Sequence, residues 1–351
     1  FWHKPLAQGP GGCRYRLAEK AMVERILWII VATSLAVLFL SSGPSSLEFR
    51  PLQDAKQQPR QQAKETHVKL LLTSDFFDIN DGGDLPELLK SMVSETGWVG
   101  PGATAVWLRD GRMGWSDTYA RFLEIDVPGI NRLKDLGITR HVGLWINRDG
   151  TPGSQMILED DMVGNVSRVA DLPEVKQAID EAVLLVVPGG EPYKLLKNLR
   201  LAPGSEVWAH AQARINRGEL VYFARSAGTI IAGSNVDITG FRSASTIEET
   251  RYYLGDPVNW TGLNLLPGDI ALRPHYTPGG MIGANLRNAH NRGNWSHDDF
   301  IQHVHAHHPG VVPVPILDGD YLVYHGGRMH LGHSHPLNSH AQLASGFVAS
   351  I

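Results

Sequence analysis

Cysteine is nearly absent from this chain, since Cys13 is the only one among 351 residues. One cysteine cannot supply a disulfide framework or a thiolate zinc site, and we expect this one to lie outside the mature protein. An excess of one charge is also lacking, because 32 Lys and Arg stand against 36 Asp and Glu. A near-neutral balance predicts no basic surface, so no nucleic-acid partner is expected.

A long apolar run is missing as well. The apolar stretch at residues 26–40 has 15 positions, whereas a membrane-spanning helix usually needs about 20. Basic residues precede it and Ser41, Ser42 and Gly43 follow it, which is the pattern of a secretory signal peptide. The sequence therefore predicts a secreted or periplasmic protein, and an uncleaved membrane anchor formed by residues 26–40 is the alternative.

The chain divides into three parts. The sequence begins with Phe1, and Met22 is a suitable start for the signal peptide, so residues 1–21 are expected to be an upstream extension within a first segment, 1–43. Residues 44–66 are rich in Gln, Pro, Lys and Arg and predict a flexible linker. The catalytic domain is expected to span residues 67–351.

From residue 67 onward, apolar runs alternate with amphipathic stretches, which is typical of an α/β domain with a parallel sheet. Strands are predicted at residues 68–73, 103–108, 142–146, 183–187, 220–223, 270–272, 311–317, 321–324 and 328–331. Helices are predicted at residues 85–93, 116–123, 174–182, 193–199, 206–217 and 298–308.

The most informative pattern surrounds Ser226. A buried strand precedes this serine, and the small residues Ala224, Ala227 and Gly228 surround it. This is one methyl group away from Gly-x-Ser-x-Gly, the turn that exposes a nucleophilic serine at the carboxyl end of a parallel sheet. A serine that merely caps the following helix is the alternative interpretation.

Two further segments could complete a catalytic site. His275 follows a short apolar run and lies between Pro274 and Pro278, which suits a loop that holds an imidazole in place. Gly189 and Gly190 follow the strand predicted at 183–187, and a glycine turn lets backbone N–H groups approach an oxyanion. Each segment could equally be an ordinary turn.

Taken together, these segments resemble the serine peptidase family of peptidase E and cyanophycinase. The likeness covers roughly residues 68–333 and rests on four blocks in the family's order. The blocks are Leu-Val-Val-Pro-Gly-Gly-Glu-Pro-Tyr-Lys-Leu-Leu at 185–196, Tyr-Phe-Ala-Arg-Ser-Ala-Gly-Thr at 222–229, Leu-Asn-Leu-Leu-Pro at 263–267 with Arg-Pro-His-Tyr-Thr at 273–277, and Pro-Ile-Leu-Asp-Gly-Asp-Tyr-Leu at 315–322. The last block resembles the family's closing Gly-Leu-Pro-Glu-Gly-Asn hairpin.

The resemblance implies a flavodoxin-like sheet, mostly parallel, with helices on both faces and C-terminal hairpin strands, as in class I glutamine amidotransferases. It implies Ser226 as nucleophile and His275 as general base, and it requires no cofactor. Gly190 and Ala227 would supply the oxyanion-hole N–H groups. The orienting acid is expected between serine and histidine in the sequence, with Glu249 preferred. Three other carboxylates in that interval remain open: Glu248, Asp237 and Asp256.

This chain departs from the family pattern near the nucleophile. Glu191 follows the glycine pair, Arg225 precedes the serine, and Ala224 replaces a glycine. The family's cleavage after aspartate is therefore not carried over. Glu191, Arg225 and Arg273 are candidates for substrate binding, the arginines because guanidinium matches carboxylate geometry.

The histidine-rich segment at residues 303–308 invites a metal interpretation, because His303 and His307 share one helix face. We expect instead that these histidines face solvent near the helix end, and no metal site is predicted.

The leading hypothesis is a serine peptidase that hydrolyses a small peptide or isopeptide through an acyl-enzyme. The alternative is a non-catalytic amidotransferase-like domain that binds a ligand. An α/β-hydrolase esterase is less compatible, since three strands are predicted after His275. Homodimer formation is left open.

Overall fold

A computed structural model gives the fold. It describes residues 67–74, 84–98, 102–110, 126–147, 155–162, 166–237, 247–278, 280 and 296–333. The signal segment, the linker and the helix predicted at 116–123 lie outside the described residues. Among those residues, no helix has both the length and the apolar character needed to cross a membrane.

Eleven strands and eight helices are described. The strands are β1 Leu70–Thr73, β2 Thr104–Leu108, β3 Arg140–Trp145, β4 Ile157–Asp160, β5 Val166–Val169, β6 Ala182–Val187, β7 Val221–Arg225, β8 Ile270–Tyr276, β9 Val312–Leu317, β10 Asp320–His325 and β11 Arg328–His333. The helices are α1 Leu85–Ser94, α2 Val127–Asp135, α3 Leu172–Glu181, α4 Pro192–Arg200, α5 Gly204–Asn216, α6 Ala227–Ala232, α7 Ile247–Leu254 and α8 His297–His307.

Nine of the described strands form one sheet in the order β11-β10-β1-β7-β6-β2-β3-β4-β5. The five central strands, from β1 to β3 in this order, are parallel. An antiparallel pair extends each edge, β10 and β11 beside β1, and β4 and β5 beside β3. Read from β3, the parallel strands follow the order β3-β2-β6-β7-β1. The first four match the strand order of flavodoxin-like sheets, and β1 occupies the fifth position. The predicted α/β class with C-terminal hairpin strands is confirmed.

Successive side chains of the central strands face opposite sides of the sheet, as the strand period of two requires. Leu70 and Leu72 belong to an apolar cluster with residues of α3 to α8, whereas Leu71 packs with residues of α1 and α2. The sheet is therefore covered by helices on both faces, as predicted. Burial on both sides explains why the central strands are continuous apolar runs.

Four described elements were not predicted. The edge strands β4 and β5 are short and carry polar residues, so they lack a clear apolar alternation. Helices α2 and α7 present few apolar residues, so they lack a clear helical pattern in the sequence. Strands β8 and β9 pair in parallel as a separate two-stranded sheet, and His275 lies on β8.

Candidate active site

Ser226 occupies a sharp turn between β7 and α6 at the carboxyl edge of the sheet. Its backbone has φ 48° and ψ −108°, a conformation that non-glycine residues seldom adopt. Its side chain makes no capping hydrogen bond to the helix that follows. The N-cap interpretation therefore does not describe this serine, and a strained turn of this kind is typical of functional positions.

The small residues around Ser226 permit the close packing of this turn. A Cβ atom on Gly228 would lie 2.2 Å from the carbonyl oxygen of Val187, so α6 can approach β6 only because residue 228 has no side chain. A Cβ atom on Gly189 would lie 3.1 Å from Cβ of Ser226. The two glycines thus let β6 and its following turn lie directly against the serine.

His275 lies near the end of β8 in an equally unusual backbone conformation, with φ 53°. The β8–β9 pairing shifts register between Arg273 and Tyr276, and this irregularity contains the histidine. Its Nδ1 atom is 2.7 Å from Oδ1 of Asp318. A carboxylate only accepts hydrogen bonds, so Nδ1 carries the proton and Nε2 of the neutral ring is left as the basic atom.

Asp318 belongs to the two-residue turn between β9 and β10. The hydrogen bond from His275 is the main reason why the pKa of Asp318 lies below the ordinary carboxyl value. The carboxylate therefore stays ionised and can stabilise a protonated imidazole. An imidazole that is hydrogen-bonded to an ionised carboxylate can serve as the base and the acid of a hydrolytic triad.

Ser74, directly after β1, joins the histidine and the aspartate. Its hydroxyl accepts a hydrogen bond from the backbone N–H of His275 at 2.6 Å and donates one to Oδ1 of Asp318 at 2.7 Å. One side chain thus holds both the main chain of the base and the carboxylate of the acid. We regard Ser74 as a positioning residue for this pair.

The same part of β1 also holds the serine turn. The backbone N–H of Ser226 donates to the carbonyl oxygen of Thr73 at 3.2 Å, and the Thr229 hydroxyl donates to that oxygen at 2.8 Å. The positive charge of Arg225 contributes to the lowered pKa of Asp318. Residues 73 and 74 therefore bring the serine turn and the His275–Asp318 pair to one edge of the sheet.

His275 pairs with Asp318, which was not among the four carboxylates proposed from the sequence as the orienting acid. Glu249 lies on α7, where burial and then the charge of Glu249 raise the pKa of Tyr253. Glu248 lies beside it on the same helix. Asp237 accepts hydrogen bonds from two histidines, and Asp256 forms an ion pair with Arg251.

Asp318 and Ser74 were missed for identifiable reasons. The pair Asp318-Gly319 has a sufficient local explanation as a hairpin turn. The signal for Asp318 was the closing block at residues 315–322, where it occupies the place of the family's Glu. Nothing in the sequence marked Ser74, because its partners are 201 and 244 positions away.

The residues predicted for the oxyanion hole flank the serine turn. Ala227 begins α6, so its N–H belongs to the first helical turn, where amides have no partner within the helix. Gly190 follows β6 with φ 149°, a value that favours glycine. Both positions lie at the carboxyl ends of the adjacent strands β6 and β7.

The three candidates for substrate binding have different surroundings. Glu191 is the residue before α4, and its charge contributes to the raised pKa of Tyr253. Arg225 is partly buried at the end of β7. Arg273 is 1% exposed and lies 5.0 Å from the ring centre of Phe300, so it is not a surface arginine. Burial lowers the pKa of Arg273 to about 9.

Two further side chains close to His275 were not predicted. His297 begins α8, and burial, followed by the charge of Arg273, lowers its pKa to about 4, so it is neutral at pH 7. Tyr276 donates its hydroxyl hydrogen to Asp298, and burial is the main cause that raises its pKa to about 12. Both are uncharged near neutral pH and add no charge that competes with the acid of the pair.

Part of the chain matches a known protein family, and two solved structures resemble it at low sequence identity. Residues 161–332 match the model of peptidase family S51. A candidate peptidase E protein from Listeria monocytogenes EGD-e has 18% identity and a TM-score of 0.46, and the match covers 76% of this chain and 98% of that chain. A peptidase from an acI-B1 Actinobacterium has 14% identity and a TM-score of 0.47, with 77% and 88% covered. The comparison with curated proteins found no match. The family match indicates a peptidase.

Proposed function

We propose that this chain, which belongs to peptidase family S51 by the match of residues 161–332, is a serine peptidase that acts on small peptides or isopeptides. The observation that carries the proposal is the 2.7 Å contact between His275 Nδ1 and Asp318 Oδ1, linked through Ser74 to the strained turn of Ser226. An imidazole oriented by a carboxylate beside a serine turn is the arrangement that acyl transfer requires.

In the first half of the reaction, the Ser226 hydroxyl oxygen attacks the carbonyl carbon of the scissile amide. Nε2 of His275 takes the hydroxyl proton, and Asp318 stabilises the resulting imidazolium through the Nδ1 hydrogen bond. When the tetrahedral intermediate collapses, the C–N bond breaks and the imidazolium returns the proton to the leaving amine. The first product departs as a neutral amine, and the acyl group remains on the serine.

The negative oxygen of the intermediate requires hydrogen-bond donors. The N–H groups of Gly190 and Ala227 lie at the ends of β6 and β7 on either side of the turn, so they are the proposed donors. One such donor contributes about 3 kcal/mol to transition-state stabilisation. In the second half, His275 removes a proton from water, which attacks the acyl carbon and releases the acid product with Ser226 restored.

The substrate is proposed to carry a carboxylate close to the scissile bond. Arg225 is adjacent to the nucleophile in the chain, and its charge reaches Asp318, so a guanidinium lies at the edge of the site. Arg273 is almost fully buried, and its positive charge acts on His297. A bidentate guanidinium favours a carboxylate over a neutral side chain.

A hydrolysis screen tests this proposal. Asp-X dipeptides, β-Asp-Arg and matching Asn-X dipeptides are incubated with the wild-type chain and with the Ser226→Ala variant, and released amino acids are quantified. A serine peptidase is supported if the wild type hydrolyses at least one carboxylate-containing substrate and the Ser226→Ala variant does not. A folded wild-type protein that binds these peptides without hydrolysing them supports the ligand-binding alternative instead.

A further inference from the structure

Away from the serine turn, three side chains with metal-binding chemistry converge. Nε2 of His303 and Nε2 of His308 lie 2.7 Å and 2.8 Å from the same atom, Oδ2 of Asp237. Asp237 is 4% exposed and His303 is 9% exposed. The expectation that the histidines of this segment face solvent is therefore wrong for His303.

The helix periodicity pointed to a different pair. His303 and His307 do lie on one face of α8 and their rings stack, with centroids 4.1 Å apart. However, His307 Nδ1 lies 3.0 Å from the carbonyl oxygen of His303, and its side chain does not belong to the cluster. The second imidazole comes from His308, one residue beyond the helix, where the change of backbone direction turns it toward Asp237.

We infer that Asp237, His303 and His308 form a zinc site. Two imidazole nitrogens and one carboxylate oxygen are ligands that Zn²⁺ commonly takes in proteins, with solvent as the fourth. The three ligand atoms all lie within 4.8 Å of one another. The His308 side chain is 18% exposed, which leaves a path for the ion and a place for the solvent ligand.

Zinc binding would require only small changes in the distances between the three ligand atoms. Bonds of about 2.0–2.1 Å in tetrahedral geometry separate neighbouring ligand atoms by about 3.3 Å. The two contacts to Asp237 would therefore lengthen by roughly half an ångström each as the ion enters between them. To bind through Nε2, each imidazole would carry its proton on Nδ1.

The position of the site indicates a structural role. His308 precedes β9, whereas His275 lies near the end of β8, which runs parallel to β9 from Ile270. The cluster and His275 therefore belong to opposite ends of this two-stranded sheet. The ion would join α8 to Asp237, in the segment that follows α6, the helix behind Ser226.

Retained zinc tests the inference directly. The purified full chain is incubated with ZnCl₂, freed of loose metal by dialysis against a weak chelator, and analysed by inductively coupled plasma mass spectrometry. Wild type and Ser226→Ala are expected to retain about one equivalent. Asp237→Asn and His308→Ala are expected to retain none. His305→Ala is the matched control, because His305 is exposed on the same helix, and it should behave as wild type.

Cobalt substitution covers the case in which the variants do not fold. Co²⁺ bound to the wild-type chain should show the intense visible absorption of tetrahedral coordination, and added Zn²⁺ should abolish it. Zinc retention by the wild type that is no greater than that of His308→Ala would overturn the inference. A weak octahedral cobalt spectrum would overturn it as well, and the cluster would then be a hydrogen-bonded Asp–His–His group.

Discussion

His275 and Asp318 are joined by a 2.7 Å hydrogen bond although 43 positions separate them in the chain. The first residue lies near the end of β8, and the second lies in the turn between β9 and β10. The two strands of the separate β8–β9 sheet end side by side, and they thereby bring the proposed base and the proposed acid together.

The Asp318→Asn variant tests the role of this acid. The amide can donate to Nδ1, which favours the imidazole tautomer with its proton on Nε2, so Nε2 can no longer act as a base. We expect kcat to fall by about 10³–10⁴-fold with little change in the free energy of unfolding. Glu249→Gln is the matched control and should retain activity within about twofold. Equal losses in both variants would remove Asp318 from its assigned role.

Ser74→Ala should lower kcat while leaving KM nearly unchanged. The substitution removes the acceptor for the His275 backbone N–H and the donor to Asp318, so the pair loses its alignment. Hydrogen bonds to charged groups contribute about 1.5–3 kcal/mol, which corresponds to a loss of roughly 10–100-fold.

Rescue by Ser74→Thr distinguishes positioning from packing, because threonine restores the hydroxyl. Steady-state kinetics on the best substrate of the screen measure both variants. If Ser74→Ala has the kcat of the wild type, the bridge between His275 and Asp318 has no functional importance.

Two glycine substitutions should separate stability from activity. In Gly228→Ala the new Cβ would lie 2.2 Å from the carbonyl oxygen of Val187, and backbone cannot move away as a flexible side chain can. We expect the free energy of unfolding to fall by at least about 3 kcal/mol. In Gly189→Ala the contact is 3.1 Å to Cβ of Ser226, so the serine must shift by a few tenths of an ångström.

The second variant should therefore stay folded and lose kcat. Urea denaturation and activity measured on the same preparations check both expectations. A Gly228→Ala protein as stable as the wild type would contradict the packing described for α6 against β6.

Asp110 makes folding stability depend on pH. It lies fully buried after β2, and burial raises its pKa to about 7, although Ile146 N–H and the Asn198 amide donate hydrogen bonds to it. Between about pH 4 and pH 7 the folded chain holds a proton on Asp110 that the unfolded chain has lost. The contribution of Asp110 to the free energy of unfolding is therefore largest at low pH. It decreases as the pH rises toward 7, by about 4 kcal/mol at most.

Asp110→Asn should abolish that decrease, because an amide does not titrate and Asn198 can rotate its own amide to match. Burial lowers the pKa of His141 to about 4, which gives the opposite dependence and is shared by both proteins. The informative quantity is therefore the difference in unfolding free energy between variant and wild type at pH 4.5 and pH 7. A difference that does not change between these two values would show that Asp110 is ionised normally.

The sequence predicts those parts of the structure that depend on residues close together in the chain. The central strands are buried on both faces, so their apolar runs are distinct, and the small residues around Ser226 mark the turn by themselves. Asp318 and Ser74 act across long sequence separations, so their roles depend on tertiary structure. The edge strands β4 and β5 were missed because edges carry polar residues and need no apolar pattern.

The central claim is that Ser226 is a nucleophile activated by His275, and covalent labelling tests it most directly. Wild-type protein, Ser226→Ala and His275→Ala are treated with a fluorophosphonate, and intact mass and peptide mapping locate the adduct. We predict one adduct, on the peptide that contains Ser226. Its formation should be much slower in His275→Ala and should not occur in Ser226→Ala. An adduct on another residue, or none on a wild-type protein that hydrolyses peptides, would contradict the account.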